Sequence, residues 1–190
     1  MFYWFAWVIL RIFLHLRCRY LTTEVENISK TGGIVILSNH KSYADPFAIG
    51  CAIHFRKTYF FAKKELFSIP LFGSLITSLG AFPVKRDTLD RRSLSYSKKL
   101  LEEEKLLLIF GEGTRNLKKN VKLLPLKGGF AFLALKAKVP VLPVYITGTE
   151  EVLSLKKLRP KVSVKFGKPI FGKSVGDIVS KAYEAMENLS

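Results

Sequence analysis

The chain has 190 residues, enough for one domain with its own core, and 48% of them are hydrophobic. Lysine and arginine total 31 against 15 aspartate and glutamate, a net charge of +16 that calls for an anionic partner: nucleic acid, anionic lipid or a phosphorylated substrate. Two cysteines, Cys18 and Cys51, exclude a disulfide framework, and no Cys/His cluster has zinc spacing, so two buried thiols in a reducing compartment are expected.

Residues 1–16 read MFYWFAWVILRIFLHL. As a helix this run reaches about 24 Å, short of the roughly 30 Å hydrocarbon core, so a spanning helix is not expected. Its charges follow the apolar run and no small-residue cleavage site comes after it, which is not the pattern of a signal peptide. Tyr3, Trp4 and Trp7 beside Arg11, Arg17 and Arg19 suit a helix lying among lipid headgroups. Residues 1–20 are therefore read as a membrane-associating helix ahead of one domain over residues 21–190. The competing expectation is a core helix packed on that domain.

GIVILSNH, residues 33–40, reads as a strand ending in a loop. Asp45-Pro46 then opens a helix over about 46–56, Asp being a favoured N-cap and Pro a favoured first helical residue. TYFFAKK is a strand, IPLFGSLITSLG a short helix and AFPVKR a strand. Leu66 to Val84 carries no charge, but Pro70, Gly73, Gly80 and Pro83 forbid one spanning helix. Thr88 caps the helix LDRRSLSYSKKLLEEE, whose apolar positions recur every three or four residues. KLLLIF is a buried strand ending at GEGTRN, KGGFAFLALKAK a helix, and VPVLPVYITG a strand whose prolines suit an edge or terminal position. KVSVKFGKP is a late strand and VGDIVSKAYEAMENL a closing helix, while residues 116–122 and 154–160 read as exposed basic loops. Strands alternate with helices nearly throughout. The expected fold is α/β, a mostly parallel central sheet flanked by helices.

In such a sheet, ligands sit beyond the carboxyl ends of the strands. His40, Arg86 and the Glu112–Arg115 group each follow a predicted strand, so three distant segments converge on one edge. His40 and Asp45 are five residues apart, too far to share a helix face, but the loop KSYA can fold the carboxylate back to the ring. Such a carboxylate fixes the tautomer and leaves the other ring nitrogen free to take a proton. No protein nucleophile is activated nearby: Ser42 and Cys51 have no local partner for that purpose. A base alone suits direct transfer, in which an acceptor hydroxyl is deprotonated and itself attacks an acyl carbonyl. The alternative is that Asp45 is only an N-cap and His40 a loop residue satisfied by backbone.

Lys85 and Arg86 sit just past an apolar strand. Gly111 and Gly113 flank Glu112 in a tight turn, where backbone N–H groups can approach an anion and Arg115 can grip phosphate through two hydrogen bonds.

Four segments in this order resemble the blocks of the glycerolipid acyltransferase family, the 1-acyl-sn-glycerol-3-phosphate acyltransferases. NHKSYAD matches the NH-x4-D signature at Asn39, His40 and Asp45. GAFPVKR matches at Gly80, Phe82, Val84 and Arg86. FGEGTR matches at Phe110, Glu112, Gly113, Thr114 and Arg115. VPVLPV matches at Val139, Pro140, Pro143 and Val144. The family usually has proline where Gly111 stands, which is expected to loosen that turn. The resemblance implies that His40 deprotonates the 2-hydroxyl of a lysophosphatidate, oriented by Asp45, and that the alkoxide attacks the thioester of an acyl-CoA or acyl carrier protein. It implies that Lys85, Arg86 and Arg115 hold the glycerol phosphate, that Glu112, Gly113 and Thr114 shape the acceptor pocket, and that Pro140 belongs to its wall. No metal or bound cofactor is expected. Family members commonly dock on the bilayer through an N-terminal helical pair, and residues 1–20 look like its first helix, at the cytoplasmic face of the cell membrane, peripheral or monotopic. The nearest competing acceptors are glycerol 3-phosphate and other lysophospholipids. The charge also permits a nucleic-acid-binding domain, but no motif for one is present and the basic residues are not interleaved with aromatics, so no nucleic-acid partner is expected.

Overall fold

The structure, a computed structural model, describes residues 2–84, 91–118, 120–152, 154 and 157–190. Helix α1 (Phe2–Arg17) leads into strand β1 (Arg19–Thr23). Then follow β2 (Ile34–Ser38), α2 (Asp45–Ala52), β3 (Thr58–Lys63), a 3₁₀ turn (Lys64–Ser68), α3 (Phe72–Ser78) and β4 (Ala81–Val84). The second half holds α4 (Arg91–Glu102), β5 (Leu106–Phe110), α5 (Gly129–Ala137), β6 (Val141–Thr147), β7 (Lys161–Phe166) and α6 (Val175–Leu189).

The strands form one sheet in the order β1-β7-β6-β2-β5-β3-β4, parallel at every pairing except β6 with β7. The central strands are buried on both faces, which is why IVIL and LLLIF are continuous apolar runs rather than alternating ones. Their alternate residues feed two cores. Ile34, Ile36, Leu106, Leu108, Leu142 and Val144 face α1, α2 and α3. Val35, Leu37, Leu107, Val141 and Tyr145 face α4, α5 and α6.

One expectation is corrected and one strand is added. The strand containing Pro140 and Pro143 is interior, with β2 on one side and β7 on the other. Pro140 precedes the strand and keeps its carbonyl for the Val35 N–H, and Pro143 gives its carbonyl to Gly167, so neither proline has to donate. The added strand is β1, which was not foreseen: RYLTT is half exposed and pairs only with β7, far along the chain. The predicted cap Thr88 lies outside the described residues, as do Lys85 and Arg86.

α1 is split between two environments. Trp7 Nε1 donates to the carbonyl of Gly50 (3.1 Å) and Arg11 to that of Cys51 (2.7 Å), so the face carrying Trp7, Arg11 and Leu14 is anchored on the C-terminal end of α2. The opposite face shows Phe5, Val8, Ile9, Ile12, Phe13 and Leu16 to solvent, at the three- and four-residue spacing of a helical stripe. Among the described residues no helix is long and apolar enough to cross a membrane.

Candidate active site

Because β2, β5 and β3 are parallel, the described segments after them gather at one edge of the sheet. β2 ends at Ser38, and Asn39 fixes the exit. Its side-chain amide donates to the Ile146 carbonyl (2.9 Å) and accepts the Ile146 N–H (2.8 Å), tying the β2 exit to β6. His40 follows at once.

His40 Nδ1 lies 2.7 Å from Oδ2 of Asp45, which is fully buried. The same oxygen accepts the N–H groups of Lys41 (2.7 Å) and Ser42 (2.9 Å). Oδ1 accepts the hydroxyl of Thr149, also fully buried. Asp45 is thus not the N-cap that its sequence position suggested. Ala44 occupies that place, Asp45 is the first helical residue, and its carboxylate points back over the loop instead of forward along α2. The imidazole is held on its flat side too, stacked on Phe110 with centroids 3.9 Å apart and planes 15° apart. With Nδ1 committed to Asp45, Nε2 is the ring nitrogen available to accept a proton.

Glu112 turns inward. It is 2% exposed, and its two oxygens accept the main-chain N–H groups of His40 (3.1 Å) and Leu124 (2.9 Å). Burial pushes its carboxyl above the ordinary value of 4.5, against the lowering effect of those two N–H donors. It braces the loop that carries the base and is not among the residues lining the cavity described below. The expected loosening at Gly111 is not found: its N–H donates to Ser38 (3.1 Å), its carbonyl accepts from Lys127 (2.8 Å), and a Cβ there would meet Leu37 and Leu126 at 2.7 and 2.8 Å. Gly113 has φ +67°, the left-handed conformation that glycine allows freely.

β3 and β5 pair only from Thr58–Leu106 to Phe60–Leu108; beyond that, β3 continues with β4 alone. The sheet forks there, and a cavity of about 630 Å³ opens in the fork, a volume ordinary for a small-molecule site. His40, Gly113 and Thr114 line it, together with Phe47, Phe60, Leu66, Phe72, Ile76 and Phe130. Its charged lining residues, among those described, are basic: Lys63 and Lys127, in addition to the imidazole of His40. Arg115 stands at the rim with its guanidinium 3.9 Å over the ring of Tyr43, itself a lining residue.

Sequence reasoning missed Thr149, Lys127 and Lys63. The first meets Asp45 only through the fold, and no sequence feature sets Lys63 or Lys127 apart from the other lysines. Neither candidate nucleophile is activated. Burial pushes the Cys51 thiol up to about 12 despite Arg11 nearby, and the Ser42 hydroxyl accepts the Ala44 N–H.

A sequence model of the acyltransferase family matches residues 19–147. The 1-acyl-sn-glycerol-3-phosphate acyltransferase of Bacillus subtilis is 30% identical over 172 residues, covering 90% of this chain and 84% of that protein. The enzyme of the same name from Streptococcus pneumoniae is 31% identical over 159 residues, 82% of this chain and 56% of that protein, so the chain spans little more than half the length of that relative. The crystal structure of the 1-acyl-sn-glycerophosphate (LPA) acyltransferase from Thermotoga maritima superposes with a TM-score of 0.77 at 26% identity, covering 97% of this chain and 78% of that one.

Proposed function

The chain belongs to the acyltransferase family, and from that premise we propose that it transfers a fatty acyl group from an acyl thioester to the 2-hydroxyl of 1-acyl-sn-glycerol 3-phosphate, giving phosphatidic acid. The observation that carries this reading is the placement of the His40–Asp45 pair on an apolar cavity whose charged lining, among the described residues, is basic. That combination suits a molecule with a long hydrocarbon chain, an anionic head and a hydroxyl between them.

Nε2 of His40 takes the proton of the acceptor hydroxyl while Asp45 stabilises the imidazolium that forms. The alkoxide attacks the thioester carbonyl, the tetrahedral intermediate collapses, and the departing sulfur recovers the proton from the imidazolium. The products are the new ester and a free thiol. Arg115, with Lys85 and Arg86 following the cavity-lining Val84, holds the phosphate; the bidentate fork of arginine matches that group. Gly113 and Thr114 shape the wall beside the head. The apolar lining from Leu66 to Val84 accommodates hydrocarbon. The reaction needs no resident metal or cofactor, since acyl-CoA or acyl carrier protein is a co-substrate.

The acceptor lives in a bilayer. We place the protein at the cytoplasmic face of the membrane, peripheral, with the exposed stripe of α1 in the interface. Each large apolar side chain fully buried there contributes about 1.5–3 kcal/mol, and each basic residue near an anionic surface about 1 kcal/mol.

The test is acyl transfer to lysophosphatidate with CoA and carrier-protein donors, run beside a panel including glycerol 3-phosphate and lysophosphatidylcholine. Preference for lysophosphatidate supports the reading. Equal or faster transfer to glycerol 3-phosphate overturns the acceptor assignment.

A further inference from the structure

A second apolar face stands beside the cavity. Ile69, Leu71, Phe72 and Leu75 are all exposed, Leu71 to 88%. Leu71 also holds φ +64°, a conformation that costs a non-glycine residue about 1–3 kcal/mol, so backbone strain is spent on holding a leucine outward. The turn around it is tightly built: Gly73 N–H donates to Ile69, and a Cβ on Gly73 would meet the Phe67 carbonyl oxygen at 2.3 Å. The same helix looks both ways, since Phe72 and Ile76 line the cavity.

α3 is joined to α1. Lys57 Nζ donates to the Ser78 carbonyl (3.1 Å) and sits 5.1 Å over the ring of Tyr3, linking the last turn of one helix to the first turn of the other. Both helices pack on the same side of the sheet, Ile76 and Leu14 belonging to one core. Their outward faces therefore belong to one side of the molecule. Lys57, Lys63 and Lys64 precede this face in the chain with one acid, Glu65, Lys57 reaching the end of α3 at Ser78, while residues 66–84 carry no charge. An apolar face preceded by basic residues is complementary to an anionic bilayer.

We propose that α3 and the turn before it enter the anionic bilayer beside α1, so that the fork in the sheet opens under the lipid and the acceptor's chain passes along α3 into the cavity without crossing water. The proposal rests on the lysophospholipid reading, and it assigns to α3 the admission of substrate rather than general anchoring.

The test uses the full chain with Leu71→Cys labelled by an environment-sensitive nitrobenzoxadiazole dye; Cys18 and Cys51 are both buried, so the new thiol is the one that reacts. Phe171→Cys, exposed on the connection before α6 and remote from α3, is the control. With vesicles of phosphatidylcholine and phosphatidylglycerol, the dye at 71 is expected to shift to the blue and brighten while the dye at 171 does not change. No shift at 71 on vesicles that still sediment the protein overturns the proposal and leaves the function untouched. So does failure to sediment, which also removes the α1 anchor, and so does a shift that needs only higher protein concentration, which assigns the face to a second copy. In parallel, Leu71→Ser combined with Leu75→Ser is expected to keep transfer to a short-chain lysophosphatidate dissolved as monomers and to lose about tenfold on a long-chain acceptor in vesicles. Equal loss on both acceptors, or on neither, counts against the proposal. Absence of transfer by the wild type to either acceptor sinks the functional reading, with the dye result still deciding the place of α3.

Discussion

Thr149 gives its hydroxyl to Oδ1 of Asp45, while Oδ2 of the same carboxylate receives His40 Nδ1 and two main-chain N–H groups. Both residues are fully buried, so every lone pair that steers the imidazole is set by protein rather than water. Thr149→Val leaves the volume nearly unchanged and removes the donor. Hydrogen bonds to charged groups contribute about 1.5–3 kcal/mol, so kcat is expected to fall by about tenfold or more with little change in KM for the acceptor. Thr149→Ser, which keeps the hydroxyl, restores most of it. If the Val and Ser variants turn over alike, the hydroxyl has no part in holding the carboxylate.

His40→Ala is expected to lower acyl transfer by about 10²–10⁴-fold while vesicle sedimentation is unchanged, since the imidazole lies in the cavity and not on the outward face of α1. Near wild-type turnover would require another base.

Glu112 titrates against the usual direction. Its carboxyl is raised above 4.5 by burial, so the native state holds its proton longer than the unfolded chain does. The stability it confers is fully present below about pH 4.5 and is lost as pH rises through the raised value. Glu112→Gln cannot titrate and leaves one of the His40 and Leu124 N–H groups without a full acceptor. The Tm of the variant is expected to be lower than that of the wild type, with the gap widening as pH falls from neutral toward 4.5. A gap that narrows over that range would mean the folded carboxyl is lowered instead.

Gly111→Pro would install the residue its family usually carries. Here it removes the N–H that bonds Ser38 and drives new atoms against Leu37 and Leu126, so a loss of about 1–3 kcal/mol in urea unfolding is expected rather than a gain. An unchanged midpoint would show that those two leucines yield freely.

Phe5→Ser with Ile12→Ser is expected to leave Tm unchanged and to reduce recovery on phosphatidylglycerol vesicles severalfold, the remainder fading with salt. A lowered Tm would show that the stripe packs on protein.

What the sequence revealed of this molecule follows how far apart in the chain each relationship lies. The His40–Asp45 pair was legible because the two residues lie at the two ends of one short loop, and the alternation of strand and helix exposed the sheet because each run is long and apolar. The place of β6 was misread because proline rules speak of the donor a residue lacks, and here that donor was never needed. Thr149 stayed hidden because its meeting with Asp45 exists only once β2 and β6 are paired, and β1 because its partner strand comes near the end of the chain. The fork between β3 and β5 left no local signal at all: the pairing stops although both strands go on. Of the expected phosphate ligands, Arg115 is found at the cavity rim, while Lys85 and Arg86 lie outside the described residues.

Helix α2 carries Asp45 at its first residue and offers the carbonyls of Gly50 and Cys51, near its last turn, to Trp7 and Arg11 of α1. Eight residues of helix are a stiff rod of about 12 Å. One short helix thus touches the orienting carboxylate's residue at one end and the α1 anchor at the other.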